Sequence, residues 1–216
     1  MIPKIIWQTH ECPYEDLPEL YKNNSKTYQD SLDGWEYRYH SALDRELFVS
    51  ENFPEYLDLY QYIGPGIYKS DFWRYLVLYK FGGLYGDMDS IIDSAEDNIF
   101  YKSIIDPNST FNVLKFSDEY YLNGTIMCSA NHPIMKQIID TMISKCKECY
   151  DQGFKVFPHG KWLWATGPEM YSSVIKDNLD KISNVYHYDG LSIKHGGIYK
   201  HQMDKDIYSN FHMGEY

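Results

Sequence analysis

Four charged residues stand out by type and spacing: Asp71, Arg74, Asp87 and Asp89. Asp71 and Arg74 are three apart in a helix-like run, so they share one face. Asp87 and Asp89 are one residue apart after a short apolar run. Side chains alternate along a strand, so an extended backbone turns both carboxylates the same way. Two hard oxygen donors on one side suit Mg²⁺ or Mn²⁺ and leave positions for phosphate oxygens. Asp71 can accept ribose hydroxyls; Arg74 can fork onto a carboxylate or a phosphate. The plain alternatives are a structural Asp–Arg pair and a solvated acidic turn. The neighbours Phe72, Trp73, Tyr75 and Leu76 argue for burial instead, and a buried arginine needs a partner.

The elements that must carry these residues are legible nearby. The run from Ile67 to Lys80 is apolar nearly all round and reads as a buried helix. Gly82-Gly83 supplies a left-handed cap. Leu84 to Gly86 is the strand that delivers Asp87. Upstream, Lys4 to Trp7 reads as a buried strand, residues 14–30 as a helix, and Trp35 to Tyr39 as a strand of period two. Ser41 caps the next helix. Downstream come strands at Phe111–Phe116 and Tyr120–Cys128, helices opened by Pro133 and Pro168, and a late strand at Val185–Tyr188. From Lys194 onward the chain reads as loop. Strands alternating with helices predict a single α/β domain over residues 1–216, with a mostly parallel sheet.

Composition limits the partners. The chain has 216 residues, enough for a sizeable core, and a net charge of −11, which argues against nucleic acid or an anionic membrane surface. No stretch reaches the ~18 apolar residues of a membrane span. The first residues are too short an apolar run for a signal peptide, so a cytoplasmic location is expected. Twenty-two tyrosines offer rings with hydroxyls that suit sugars, although half-buried packing explains them as well. Cys146 and Cys149 form a lone C-x-x-C without a second ligand pair, and read as reduced structural thiols.

Taken together, Ile2-Pro3-Lys4-Ile5-Ile6-Trp7-Gln8-Thr9 and Lys69-Ser70-Asp71-Phe72-Trp73-Arg74, continuing through Gly82-Gly83-Leu84-Tyr85-Gly86-Asp87-Met88-Asp89, resemble glycosyltransferase family 32. That family carries a sugar-binding D-x-D motif. The placement of Asp71 relative to Asp87 is also similar to that in the clostridial glucosylating toxins. Asn123-Gly124, His132-Pro133 and Ala165-Thr166-Gly167-Pro168 look like later family motifs.

The resemblance implies a GT-A fold, a Rossmann-like mixed sheet flanked by helices. It implies a hexose moved from a nucleotide sugar (a UDP-sugar or GDP-mannose) to a glycan or other hydroxyl acceptor, with retention. Mn²⁺ or Mg²⁺ would sit on the diphosphate. Trp7, Gln8 and Thr9 would line the nucleobase pocket. Asp71, Arg74, Asp87 and Met88 would face the nucleotide sugar, with Asn123 near the donor sugar. Asp87 and Asp89 would hold the metal, and His212 is a candidate third ligand. Tyr216 stands where the family expects a tryptophan. Two other classes share features with this pattern. A haloacid dehalogenase-type phosphatase also places D-x-D after an apolar strand, but on an early one. A non-catalytic sugar- or nucleotide-binding module need not keep all four charged residues.

Overall fold

The computed structural model describes residues 1–64, 66–92, 108–154, 161–187 and 193–195. A six-stranded sheet forms the centre. Its strands are β1 (Ile5–Thr9), β2 (Glu36–His40), β3 (Gly83–Gly86), β5 (Phe111–Lys115), β6 (Tyr121–Cys128) and β7 (Asn184–His187), in the order β2-β1-β3-β6-β5-β7. A two-stranded ladder joins β4 (Ser90–Ile92) to β8 (Ile193–His195). Among the described residues, the helices of six or more residues are α1 (Glu19–Ser31), α2 (Ala42–Asn52), α3 (Leu57–Tyr62), α4 (Gly66–Phe81), α5 (Pro133–Asp151) and α7 (Pro168–Lys176); the four-residue α6 spans Trp162–Ala165.

The sheet is mixed, as the resemblance implies, with three of its five strand pairs parallel. β1 runs parallel to β2 and β3, and β5 parallel to β7, but β6 is antiparallel to both of its neighbours. The reason is the short link between β5 and β6. Phe116 donates to the Tyr120 carbonyl at 2.8 Å, closing a tight reversal. A connection this short cannot make a parallel crossover.

Strand alternation sorts the core onto two sheet faces. Trp7, Tyr85, Ile126 and Cys128 pack with α4, α5 and α7. Ile6, Leu84 and Met127 pack with Tyr28 and Leu32 on the α1 side. Helix α4 is the central support: Phe72, Trp73, Tyr75, Leu76, Val77 and Leu78 have no exposed surface. Burying one such side chain contributes about 1.5–3 kcal/mol.

The end of α4 sets the direction of β3. Gly82 and Gly83 have φ of 67° and 107°, the left-handed region. A Cβ on Gly83 would lie 2.5 Å from the Ile5 carbonyl oxygen. The turn is therefore pressed against β1, and Trp7 locks it by donating from Nε1 to the Gly82 carbonyl at 2.8 Å.

Other boundaries follow local chemistry. Ser41 and Asp44 form a reciprocal capping box at α2. The single helix expected over 14–30 is instead a 3₁₀ turn at Tyr14–Asp16 followed by α1, with Pro18 as its cap. Proline lacks the N–H that would continue the first turn. Lys194 and His195, expected in a loop, lie in β8, because β4 offers a ladder that no local pattern announces. Cys146 and Cys149 are free and buried. No helix among the described residues is long and apolar enough to cross a membrane.

Candidate active site

Helix geometry brings Asp71, Arg74 and Tyr75 to one face of α4, aimed at the ends of β3 and β6. Arg74 Nη2 reaches Asp71 Oδ1 at 3.2 Å and Asp87 Oδ1 at 3.0 Å. Its Nη1 donates to the Asn123 carbonyl at 2.8 Å, and its guanidinium lies 4.4 Å from the centre of the Tyr85 ring. Burial alone works against this charge, but Asp87, Tyr85 and Asp71 raise the pKa above its ordinary value. Arg74 therefore stays a cation.

Asp71 is enclosed. Asn123 Nδ2 donates to its Oδ1 at 3.0 Å, and Thr166 Oγ1 donates to its Oδ2 at 3.2 Å. Burial dominates its ionisation and pushes the carboxyl up to about 7, with Arg74 pulling the other way and Asp87 adding to the rise. Asn123 also donates to the Tyr75 hydroxyl at 3.0 Å, which in turn donates to the Thr166 carbonyl at 2.9 Å. Four segments thus meet on one buried network: α4, β3, β6 and Thr166 in the link between α6 and α7.

Asp87 bridges this network to the surface. Its side chain is 31% exposed, against 4% for Asp71 and 5% for Arg74. Tyr85 donates to its Oδ1 at 2.7 Å, and burial holds the Tyr85 phenol well above its usual pKa, so that donor keeps its proton. Oδ1 is thus held by Arg74 and Tyr85 together.

The acidic pair is not on an extended backbone, which corrects the alternation argument. β3 ends at Gly86, and Asp87 to Ser90 form a turn in which Ser90 N donates to the Asp87 carbonyl at 3.0 Å. Ser90 Oγ donates to the same carbonyl at 2.6 Å. Asp87 and Asp89 are thus carried on a turn rather than on a pleated strand.

Trp7, Gln8 and Thr9, expected beside the nucleobase, lie at the end of β1. They are 1%, 0% and 6% exposed. Gln8 accepts from the Tyr37 hydroxyl at 3.0 Å and donates weakly to the Asp87 carbonyl at 3.4 Å. Thr9 donates to the His40 carbonyl at 2.6 Å and accepts from Arg45 at 2.7 Å. Met88 is buried, and its carbonyl accepts from Asn24 at 3.0 Å. Of the sequence candidates, Asp71, Arg74, Asp87 and Asn123 form one cluster, and Gln8 touches it from below. Asp89 lies in the adjoining turn. His212 and Tyr216 lie outside the described residues.

Three contributors went unassigned from the sequence: Tyr75, Tyr85 and the Thr166 hydroxyl. Tyr75 falls four residues after Asp71, the one available signal; the other two are set by tertiary contacts.

The donor set fits a hard divalent cation that borrows ligands. The acidic turn supplies carboxylate oxygens beside a fixed cation. Among the described residues no group of three or more His, Cys, Asp or Glu side chains forms a cage. One or two carboxylates completed by phosphate and water is the usual Mg²⁺ arrangement beside a nucleotide.

The comparisons with known proteins agree with this geometry. A family model described as a glycosyltransferase sugar-binding region containing the DXD motif matches residues 8–106. An uncharacterized glycosyltransferase of Acanthamoeba polyphaga mimivirus is 32% identical over 66% of this chain and 56% of that protein. Inositol phosphoceramide mannosyltransferase 3 of Schizosaccharomyces pombe is 25% identical over 81% of this chain and 44% of that protein. The chain thus spans about half the length of these relatives. Among solved structures, the PaToxG glycosyltransferase is similar with a TM-score of 0.54 and 18% identity, covering 83% of this chain and 70% of that one. The fold is GT-A, and residues 8–106 are similar to the glycosyltransferase sugar-binding region that contains the DXD motif.

Proposed function

We propose that this chain transfers a hexose from a nucleotide sugar to a hydroxyl acceptor, with help from Mn²⁺ or Mg²⁺ and with retention of anomeric configuration. The observation that carries this reading is Arg74 gripping both Asp71 and Asp87 beneath a partly exposed acidic turn. A structural ion pair needs only one carboxylate. A cation that fixes one oxygen of a second, half-exposed carboxylate prepares that group for a ligand.

The chemistry needs charge stabilisation more than a strong base. Breaking the anomeric C–O bond puts negative charge on the leaving diphosphate. Bound at Asp87 and Asp89, a divalent ion would neutralise that charge where it develops. Arg74 holds Asp87 in place and adds a nearby positive charge. Asp71 and Asn123 fix Arg74 and offer polar atoms toward the donor sugar. Trp7, Gln8 and Thr9, at the end of β1, are the proposed nucleobase side. Retention rests on the family resemblance. UDP-sugars and GDP-mannose both stand as donors; the S. pombe relative's name, a mannosyltransferase, supports a hexose. The acceptor is a glycan or another hydroxyl compound.

A thermal-shift panel tests the donor side, because a ligand that binds only the folded state raises its melting temperature. UDP or GDP with Mn²⁺ should raise it, and the larger shift names the nucleotide. Equal stabilisation in excess EDTA would contradict metal-assisted binding.

A further inference from the structure

The acidic turn is gripped by a helix that contributes no acid to the site. Helix α1 lies on the other face of the sheet from α4, and it presents Asn24, Thr27 and Tyr28 at helical spacing on one face. Each of them bonds the turn or the strand that leaves it. Asn24 Nδ2 donates to the Met88 carbonyl at 3.0 Å. Ile92 N donates to Thr27 Oγ1 at 3.0 Å. The Tyr28 hydroxyl meets Ser90 Oγ.

Hydrogen counting gives the last contact a direction. Ser90 has one hydroxyl hydrogen, and it goes to the Asp87 carbonyl. Tyr28 is therefore the donor to Ser90. Burial raises the Tyr28 phenol pKa, so the proton stays on the ring oxygen. The relay runs from Tyr28 to Ser90 to the backbone of Asp87. Gly86 makes room for it: a Cβ there would lie 2.4 Å from the Tyr28 hydroxyl.

Helix packing against β4 does not require this pattern. An apolar face would bury more favourably than three polar side chains, since a buried polar group is costly unless it is bonded. Here Asn24 and Thr27 take up backbone atoms of Met88 and Ile92, and Tyr28 reaches the Asp87 carbonyl through Ser90. Two carboxylates one residue apart repel each other. A turn held ready for a cation loses less freedom on binding than one that must be ordered.

We propose that Tyr28 is a positioning residue that sets the affinity of the Asp87-Met88-Asp89 turn for a divalent cation. This rests on the reading that Asp87 and Asp89 hold the ion. Groups behind the direct ligands commonly change metal affinity by about 10–100-fold.

The test is titration of the full chain with Mn²⁺ alone, reading free Mn²⁺ by electron paramagnetic resonance well below the melting temperature. Wild type, Asp89→Ala, Tyr28→Phe, Ser90→Ala and the Tyr28→Phe/Ser90→Ala double variant are compared. Tyr28→Phe should raise the dissociation constant threefold or more. Ser90→Ala should do the same, and the double variant should be no worse than the weaker single one, because both break one relay. If Tyr28→Phe does not fold, Ser90→Ala breaks the relay from its other end. A lower melting temperature with Mn²⁺ affinity changed less than threefold would make Tyr28 merely structural and overturn the inference. A wild type that binds Mn²⁺ no better than Asp89→Ala would overturn the reading of the site itself.

Discussion

Arg74 on α4 and Asp87 beyond β3 approach to 3.0 Å, closer than Arg74 comes to Asp71 on its own helix at 3.2 Å. The guanidinium is thus shared between a buried carboxylate and a half-exposed one. That sharing ties the interior of α4 to the acidic turn, and the behaviour of variants should report it.

Arg74→Lys keeps the charge but loses the planar fork. A single ammonium nitrogen cannot stand at both guanidinium positions, Nη1 on the Asn123 carbonyl and Nη2 on the two carboxylates. The expected result is at least a tenfold loss in transfer rate, about 1.4 kcal/mol of transition-state stabilisation, in protein that still folds. Rate and melting temperature should be measured on one sample. Lost stability with normal activity per folded molecule would return the residue to a structural role.

Asp71 makes stability depend on pH. Its carboxyl is raised from 3.8 to about 7 by burial. An acid raised in the fold stabilises it fully below the ordinary pKa, and that contribution is lost as the pH rises through the folded value. Between about 3.8 and about 7 the unfolded chain releases a proton that the folded chain retains. Asp71→Asn should therefore flatten the fall in melting temperature across that window. Parallel pH curves for wild type and variant would contradict the burial argument.

Asn123→Ala removes the amide that bonds both Asp71 and the Tyr75 hydroxyl. Leaving buried polar groups short of partners costs about 1–3 kcal/mol each. Urea unfolding should show a loss of that order, and transfer activity should fall with it. A change below roughly 0.5 kcal/mol, the usual size for an unremarkable surface site, would mean that water replaces the amide.

Gly83→Ala tests how α4 is joined to the site. The new Cβ would meet the Ile5 carbonyl oxygen at 2.5 Å in a backbone at φ 107°. Strain and clash together should cost about 2 kcal/mol or more. The melting temperature should drop by several degrees; an unchanged one would show that the turn relaxes freely.

Much of this arrangement is legible along the chain because it is local. The i, i+3 spacing of Asp71 and Arg74, the apolar run around them and Gly82-Gly83 specify a buried helix, a sharp cap and a strand with acids at its end. What was misread turns on hydrogen bonds and pairings that residue spacing alone does not announce. The pleat argument for Asp87 and Asp89 fails because Ser90 captures the Asp87 carbonyl and turns the chain. β8 pairs with β4 across nearly half the chain, Ser90 facing His195. The antiparallel β5–β6 pair was within reach, since so short a link allows nothing else.

The most direct measurement is release of free nucleoside diphosphate from a panel of UDP-sugars and GDP-mannose in water, with and without Mn²⁺. The account predicts release of UDP or GDP that requires the cation and disappears in Asp89→Asn while the fold survives. Release of inorganic phosphate instead, no release from any donor, or turnover of Asp89→Asn at wild-type level in low Mn²⁺ would contradict it.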